Sequence, residues 1–429
     1  MKARELTVLM VFVALFALAG DCVAEMGYLD DLGVLESNSS EANGVSADGS
    51  VVAGEAYASG NWTAFRWTKT TGMQNLGTSL PIDWSSEATG VSGDGGSIII
   101  NSYGAAYRWT QTGGAHPLGT LGGATYAMGI SHNGAVVVGG SADTFAGYDR
   151  AFRWAGDNMQ NLGILDTGPG SAAYAVSANG QVVVGLSGTS LGSGAFIYTS
   201  GAGMQSLGVL PGGNYSIARG VSSDGSVVVG QARNSGSNLR AFRYTEADGM
   251  VDLGTLGGSA SNAKGVSADG KVVVGTAYNS YGTERAFRWT QETGMQTIND
   301  WLATCGVDTG ALYFMSANAA NSDGSIVVGR YSTGHAYRAY CCVISHVKNE
   351  DTSTFYDTIK AGYDAAQSGD SLLMHSASFT GDVLLNNLNP VKLKGGFDCA
   401  YENSVGHTTI IGAVTASGGA VTLDSLIIR

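Results

Sequence analysis

The chain is poor in proline, cysteine and charge: 5 Pro, 5 Cys and 13% charged residues among 429, where an average globular domain carries about 25% charge. Low charge combined with 44% hydrophobic residues excludes a disordered chain, because enough apolar surface is available to offset the entropy of ordering. Lys and Arg number 22 against 35 Asp and Glu, and the net charge of -13 repels nucleic-acid phosphates and anionic membrane surfaces. Nucleic acid is not expected as a partner. The 6 His residues form no H-x-x-x-H or H-E-x-x-H pattern, and no phosphate loop is present. No metal, no other cofactor and no catalytic residue is expected.

Long hydrophobic runs are also scarce. One, from Leu6 to Gly20, follows Lys2 and Arg4 and leads into Cys22-Val23-Ala24, which reads as a secretory signal over residues 1–24. Its length falls below the roughly 20 residues that cross a hydrocarbon core, and no comparable run follows, so no transmembrane span is expected after signal removal. Lipidation at Cys22 is disfavoured by Asp21, where a lipobox needs a small uncharged residue. Cleavage after Ala24 leaves Cys305, Cys341, Cys342 and Cys399. An even count in an exported chain permits one or two disulfides. The vicinal pair cannot easily bond to itself, so Cys305 with Cys341 or Cys342 is the expected bridge, with free buried thiols as the alternative.

What the chain has in abundance is glycine, 65 residues, and much of it is periodic. A Ser-x-Asp/Asn-Gly turn recurs with its Gly at 49, 95, 134, 180, 225, 270 and 324, a mean step of about 46 residues. Each turn precedes a β-branched run such as Val136-Val137-Val138-Gly139, then an Ala-Phe-Arg-Trp segment such as Ala151 to Trp154, then Gly-Met-x-x-Leu-Gly as in Gly249 to Gly254. Asp-Gly and Asn-Gly between apolar runs signal tight hairpins, since Gly and Asn tolerate positive φ. Four short strands per copy and no helical period predict an all-β fold: a seven-bladed β-propeller of four-stranded antiparallel blades over residues 25–342.

The seventh copy lacks its last strand, and a spare strand of that type, Met26 to Gly33, stands before the first copy. The N-terminal strand is therefore expected to complete the last blade and close the ring. Small residues at Gly44, Gly90, Gly129, Ala175, Gly220, Gly265 and Ala319 suit first strands crowded around an axis.

Leu-Gly-Thr-Leu-Gly-Gly at Leu118 to Gly123 and Leu253 to Gly258, with His335-Ala336-Tyr337 and the altered Arg150-Ala151-Phe152, Arg240-Ala241-Phe242 and Arg285-Ala286-Phe287, resembles the extracellular HAF-repeat family over residues 26 to about 340. The resemblance implies an exported bacterial protein, secreted or at the cell surface. The family carries no assigned reaction.

After residue 342 the pattern breaks. Phe355, Ile359, Tyr363 and Ala366 form a helical stripe over residues 354–367 with Ser353 as N-cap, and short strand-like runs follow to Ile428. Residues 343–429 resemble the start of a right-handed parallel β-helix of the pectate-lyase-like kind. With so few turns and an apolar last strand, either the domain is truncated or that edge docks on something.

The repeated Asp residues supply one carboxylate per turn, short of the oxygen set calcium needs, and read as turn formers. The repeated Arg66, Arg108, Arg153, Arg243, Arg288 and Arg338 read as bridges between blades. Binding is expected from what does not repeat: rim-loop aromatics Tyr57, Trp62, Trp84, Tyr103, Phe145, Tyr148, Tyr278 and Tyr281, and Trp301 in the irregular insertion 298–317. Rim aromatics stack on sugars or anchor proteins. The function expected is a non-catalytic exported binding or adhesion scaffold contacting extracellular glycans or surface proteins. The alternative is an extracellular polysaccharide-active lyase or hydrolase, for which Glu284, Asp308 and Asp323 are available carboxylates but are not paired by spacing.

Overall fold

The computed structural model describes residues 23–24, 27–36, 38–81, 85–144, 147–166, 168–190, 192–341, 347–356, 358–375, 378–380, 383–386, 389–397, 408–411, 413–417 and 420–428. Residues 1–22 of the expected leader, Cys342 and Cys399 lie outside them. The chain divides into two compact units: Tyr28–Ala303 with Asp308–Tyr340, and Met1–Gly27 with Thr304–Val307 and Cys341–Arg429. No helix among the described residues is long and apolar enough to cross a membrane.

The larger unit is a seven-bladed β-propeller of four-stranded antiparallel sheets. The first strands of the blades are Ser40–Val45, Ser86–Val91, Gly122–Ile130, Ser171–Val176, Ser216–Val221, Gly257–Val266 and Phe314–Ala320. In blade seven, Phe314–Ala320, Ile326–Tyr331 and Ala336–Cys341 are completed by the N-terminal strand Gly27–Asp31. Leu32 N–H donates to the Ala336 carbonyl at 3.0 Å, and the Leu32 side chain is buried with Ile326 and Val328. Arg338 fastens the same seam: Nη1 meets Asp30 at 2.9 Å, and Nε donates to the Gly49 carbonyl of blade one at 2.8 Å.

Each element of the repeat has a mechanical task. In the turn, the Ser46 hydroxyl donates to Asp48 at 2.6 Å and accepts from Val51 N–H at 3.0 Å, while Asp48 also accepts from Ser50 N–H. The carboxylates serve the turn itself. At Asp224, hydrogen bonds from Ser222 and Ser226 hold the carboxyl below its ordinary range. The turn glycine is required twice over: Gly270 has φ +73°, and a Cβ there would lie 2.4 Å from Val227 of the preceding blade. The Arg of Ala-Phe-Arg-Trp reaches the next blade in several copies, as when Arg108 Nε donates to Gly134 and Arg153 Nε to Gly180, whereas Arg66, expected to do the same, bonds Gln74 of its own blade. The first-strand Ser links backward: Ser171 accepts from Ala151 N–H and donates to the Gly163 carbonyl. The cores lie between blades, with Phe65 and Trp67 of blade one buried against Ile326 and Val328 of blade seven.

Around the axis the first strands nearly touch, and a Cβ on Gly129 would sit 2.9 Å from Ala175 Cα. Each first strand has a register irregularity at the same place, between residues 42 and 44 in blade one and between 317 and 319 in blade seven. At the turn end, backbone bonds run from each blade to the next. Ala47 donates to Gly93, Asp94 to His132, His132 to Ala178, Ala178 to Ser223, Ser223 to Ala268, Ala268 to Ser322, and Ser322 back to Ala47, all at 2.8 to 3.1 Å. His132 is thus more than a turn residue: with Val45, Ile130 and Val176 it lines a central bowl of ≈ 230 Å³.

In the smaller unit, Ser371–His375 pairs in parallel with Val391–Phe397, which pairs in parallel with Val421–Asp424. Ser378–Thr380, Thr408–Ile411 and Leu426–Ile428 form a second parallel ladder, and Val383–Leu385 with Val414–Ala416 a third. Val23–Ala24 pairs antiparallel with the second ladder. Ile359, Tyr363, Leu372 and Leu393 share its core.

The helix here is shorter than the stripe suggested. It spans Ile359–Ala365, with the Thr358 hydroxyl accepting from Ala361 N–H. Ser353 has φ +56° and does not cap it, and Phe355 lies in the short strand Phe355–Tyr356. A β-hydroxyl one residue before the helix offers its N–H groups a nearer acceptor than one six residues away. Cys305 and Cys341 are joined in a disulfide.

Candidate functional site

The repeat places the hairpins between second and third strands beside the linkers between blades. Tyr57 N–H donates to Ser39, Thr125 N–H to Gly104, and Ser40 N–H to Gly334. These segments form one face of the propeller, opposite the Ser-x-Asp-Gly turns. Tyr57, Tyr103, Tyr148, Tyr278 and Tyr281 all lie on it, at hairpins of blades one, two, three and six. Tyr103 and Tyr281 are 73% and 90% exposed.

Tyr57 and Trp62 face each other across their hairpin at 5.9 Å between centroids, with Trp62 half-buried. Tyr278 and Tyr281 share a hairpin; the remaining tyrosines sit on separate blades. Tyr103 adopts φ +46°, a left-handed conformation that costs a bulky L-residue roughly 1–2 kcal/mol and presents the ring to solvent.

Three expected rim residues need separate statements. Trp84 and Phe145 lie outside the described residues. Trp301 is a correction: it belongs to helix α1, Ile298–Thr304, and is buried with Ile298 and Leu302, its ring beneath the Arg288 guanidinium at 5.1 Å. A seven-residue helix must bury its apolar stripe, and Trp301 is the centre of that stripe.

Sequence reasoning missed the channel mouth at the centre of this face. It is built by the first-strand residue two before the register irregularity, that residue's partner on the second strand, and the residue at the irregularity. Glu41 stands opposite Glu55 and Glu87 opposite Asn101. The same positions hold Tyr126 opposite Gly140 in blade three, Asn262 opposite Thr276 in blade six and Ser316 opposite Arg330 in blade seven. At the irregularity stand Met128 in blade three, Tyr174 in blade four, Arg219 in blade five, Lys264 in blade six and Asn318 in blade seven.

The mouth is electrically divided. Burial, together with the charges of Glu87 and Glu41, pushes the Glu55 carboxyl up to about 7, against a smaller opposing pull from Arg330. Burial and Glu41 also raise Glu87. On the far side, burial lowers Lys264, offset in part by Glu41. A chain of hydrogen bonds crosses three blades: Lys264 donates to Asn318 Oδ1 at 2.8 Å, and Asn318 Nδ2 donates to Glu41 at 2.8 Å, which also accepts from the Ser316 hydroxyl at 2.9 Å. Arg219 lies over the Tyr174 ring at 5.4 Å. Among the described residues, no three His, Cys, Asp or Glu side chains converge as metal ligands. The structure also leaves Glu284, Asp308 and Asp323 apart. Asp323 serves its own turn through Ser325, Asp308 accepts from Gly310 N–H, and Glu284 lies on the opposite, loop face.

No protein-family profile matches the chain, and no curated protein does. Solved propellers resemble it at a distance. TolB from Acinetobacter baumannii shares 14% identity over 68% of this chain and 64% of that chain, with a TM-score of 0.41. A putative TolB from Agrobacterium tumefaciens shares 16% over 63% and 95%, with a TM-score of 0.42. An oligogalacturonate lyase in complex with manganese shares 12% over 69% and 87%, with a TM-score of 0.47. The chain thus spans 64% of the length of the Acinetobacter protein. Likenesses this distant say nothing about ligand or reaction.

Proposed function

We propose that the chain is an exported, non-catalytic binding scaffold of the HAF-repeat kind, whose loop face contacts extracellular glycans or protein surfaces. One observation carries this reading: the strongly exposed tyrosines of the propeller, Tyr103, Tyr148 and Tyr281 at 73%, 56% and 90%, stand on the same face, on hairpins the fold does not need them to occupy. Amphipathic rings held on rigid hairpins give contact area at low entropy cost. Export is supported by the leader-like residues 1–24, and the smaller unit is read as a short parallel β-helix on the strength of its three parallel ladders.

The test is a glycan and protein array probed with the purified chain and with a Tyr103→Ala, Tyr148→Ala, Tyr281→Ala triple variant. Binding by the parent and its loss in the folded variant is the expected result. No binding above background, or binding the variant retains in full, counts against the reading.

A further inference from the structure

We propose, resting on the reading of the loop face as the binding face, that the channel mouth at its centre binds a small zwitterion with an apolar body, an amino acid or short peptide. Its ammonium lies against Glu55 and Glu87, and its carboxylate against Arg219 and Lys264.

The first ground is where the repeat departs from itself. One tier deeper, the first strands present Val45, Val91, Ile130, Val176, Val221 and Val266, a ring that varies little because packing sets it. At the mouth the same architecture carries acids in blades one and two, Tyr126 and Met128 in blade three, and bases in blades five, six and seven, the last being Arg330 opposite Ser316. Blade two lies across a seven-membered ring from blades five and six, while blade one is joined to blade six through Asn318 of blade seven. The apolar arc between blades two and five is open, with Tyr126 and Met128 exposed at 41% and 37%.

The second ground is that folding does not favour this arrangement. Like charges directly opposite on neighbouring strands destabilise a sheet, yet Glu41 and Glu55 are paired in that way. Five other blades fill the equivalent position on the first strand with Tyr126, Ala172, Ile217, Asn262 or Ser316.

The third is the state of the polar atoms. Nε of Arg219 and Nε of Arg330, both donors, are buried and make no hydrogen bond, which a folded protein ordinarily avoids. Glu55 keeps its carboxyl raised to about 7 by burial, Glu87 and Glu41 despite the smaller opposing pull of Arg330, so a further cation beside it is favoured. An ammonium there supplies it, and a carboxylate opposite supplies the acceptor that the Arg219 Nε lacks.

The experiment is calorimetric titration of the full chain at pH 7 with leucyl-leucine and alanyl-phenylalanine, each beside its N-acetylated and its C-amidated form. The expected result is that at least one free dipeptide binds and that either block weakens it at least tenfold. Glu87→Gln should then erase the difference between free and acetylated peptide, and Lys264→Met the difference between free and amidated peptide, both variants keeping the parent's thermal transition. Proton release on binding, read from the dependence of the heat on buffer ionisation enthalpy, is expected from Glu55 and is absent if the peptides bind elsewhere. Equal binding of free and blocked forms, or no binding of either dipeptide, overturns the proposal. The array separates this from failure of the face as a whole: array binding that needs the three tyrosines but survives Glu87→Gln and Lys264→Met leaves the face standing and removes the zwitterion site.

Discussion

Replacing Glu55 by Gln should make the propeller more stable at pH 8 and change little at pH 5. In the folded chain, burial and then the neighbouring Glu87 and Glu41 raise this carboxyl to about 7 from an ordinary 4.5. The folded state therefore binds more protons than the unfolded one between those values, so stability falls as pH rises through that window. The contribution is fully present below pH 4.5, where the group is protonated in both states, and is lost above pH 7. At 1.36 kcal/mol for each tenfold change in proton affinity the upper bound is about 3 kcal/mol. Partial exposure of Glu55 lets solvent screen the charge, which cuts the figure to about 1–2 kcal/mol.

Glu55→Gln removes the ionisable group, so the variant should gain about that much at pH 8. All 7 Trp lie at or before residue 301, within the larger unit. Trp fluorescence during urea unfolding therefore reports on the propeller without the smaller unit. The measurement is kept above pH 5, because the turn carboxylates such as Asp224, held low by their hydroxyl and N–H donors, lose stability in the opposite direction at lower pH. A gain that is the same at pH 5 and pH 8, or a variant less stable at pH 8, refutes the account of the mouth as a site of uncompensated negative charge.

Three further outcomes follow from the repeat mechanics. Gly270→Ala should cost about 2–4 kcal/mol, combining left-handed strain with overpacking against Val227. Gly249→Ala, at φ +67° with nothing within 4 Å of the added Cβ, should cost only the strain, and urea midpoints of the pair compare them directly. Arg338→Met should destabilise the propeller by about 2–4 kcal/mol by stranding Asp30 and the Gly49 carbonyl, whereas Arg66→Met, whose side chain bonds Gln74 of its own blade, should stay within about 1 kcal/mol. Opening the Cys305–Cys341 bridge, with its sequence separation of 36, should cost about 4 kcal/mol by loop entropy, seen as a lower urea midpoint for the Cys305→Ser, Cys341→Ser double variant.

The propeller was legible because repetition filters signal from noise. Gly at 49 and at six later positions must mean a turn if it always precedes a β-branched run, and the missing strand of the last copy points to the spare one before the first. The reading of the arginines as bridges also followed from repetition, since a residue alternating with Phe and Trp on every third strand has only the neighbouring blade to meet.

The mouth was illegible for the opposite reason. Its residues change around the ring, so no motif forms, and its partners are far apart in sequence: Asn318 meets Glu41 across a separation of 277 residues. Aligning the copies and asking which first-strand columns vary most would have marked Glu41, Glu87 and Tyr126 from the sequence alone. His132 gave no signal in the sequence because its turn looks like the others. In space its ring stands over Gly93, where a Cβ would come within 2.1 Å of it. Trp301 was misjudged because an insertion without periodicity reads as surface, whereas its short helix is a plug.

The hoop of backbone hydrogen bonds at the turn end has a consequence for how such an array can change. Each blade donates in one rotational sense and accepts from the other side, so there is no terminal member whose loss leaves the rest intact. Gaining or losing one unit by duplication or deletion would have to break this girdle and re-form it at another circumference, with different angles between neighbours. Drift in single side chains at the opposite end meets no such obstacle. An array of this kind is free to change what it recognises while its number of units stays locked.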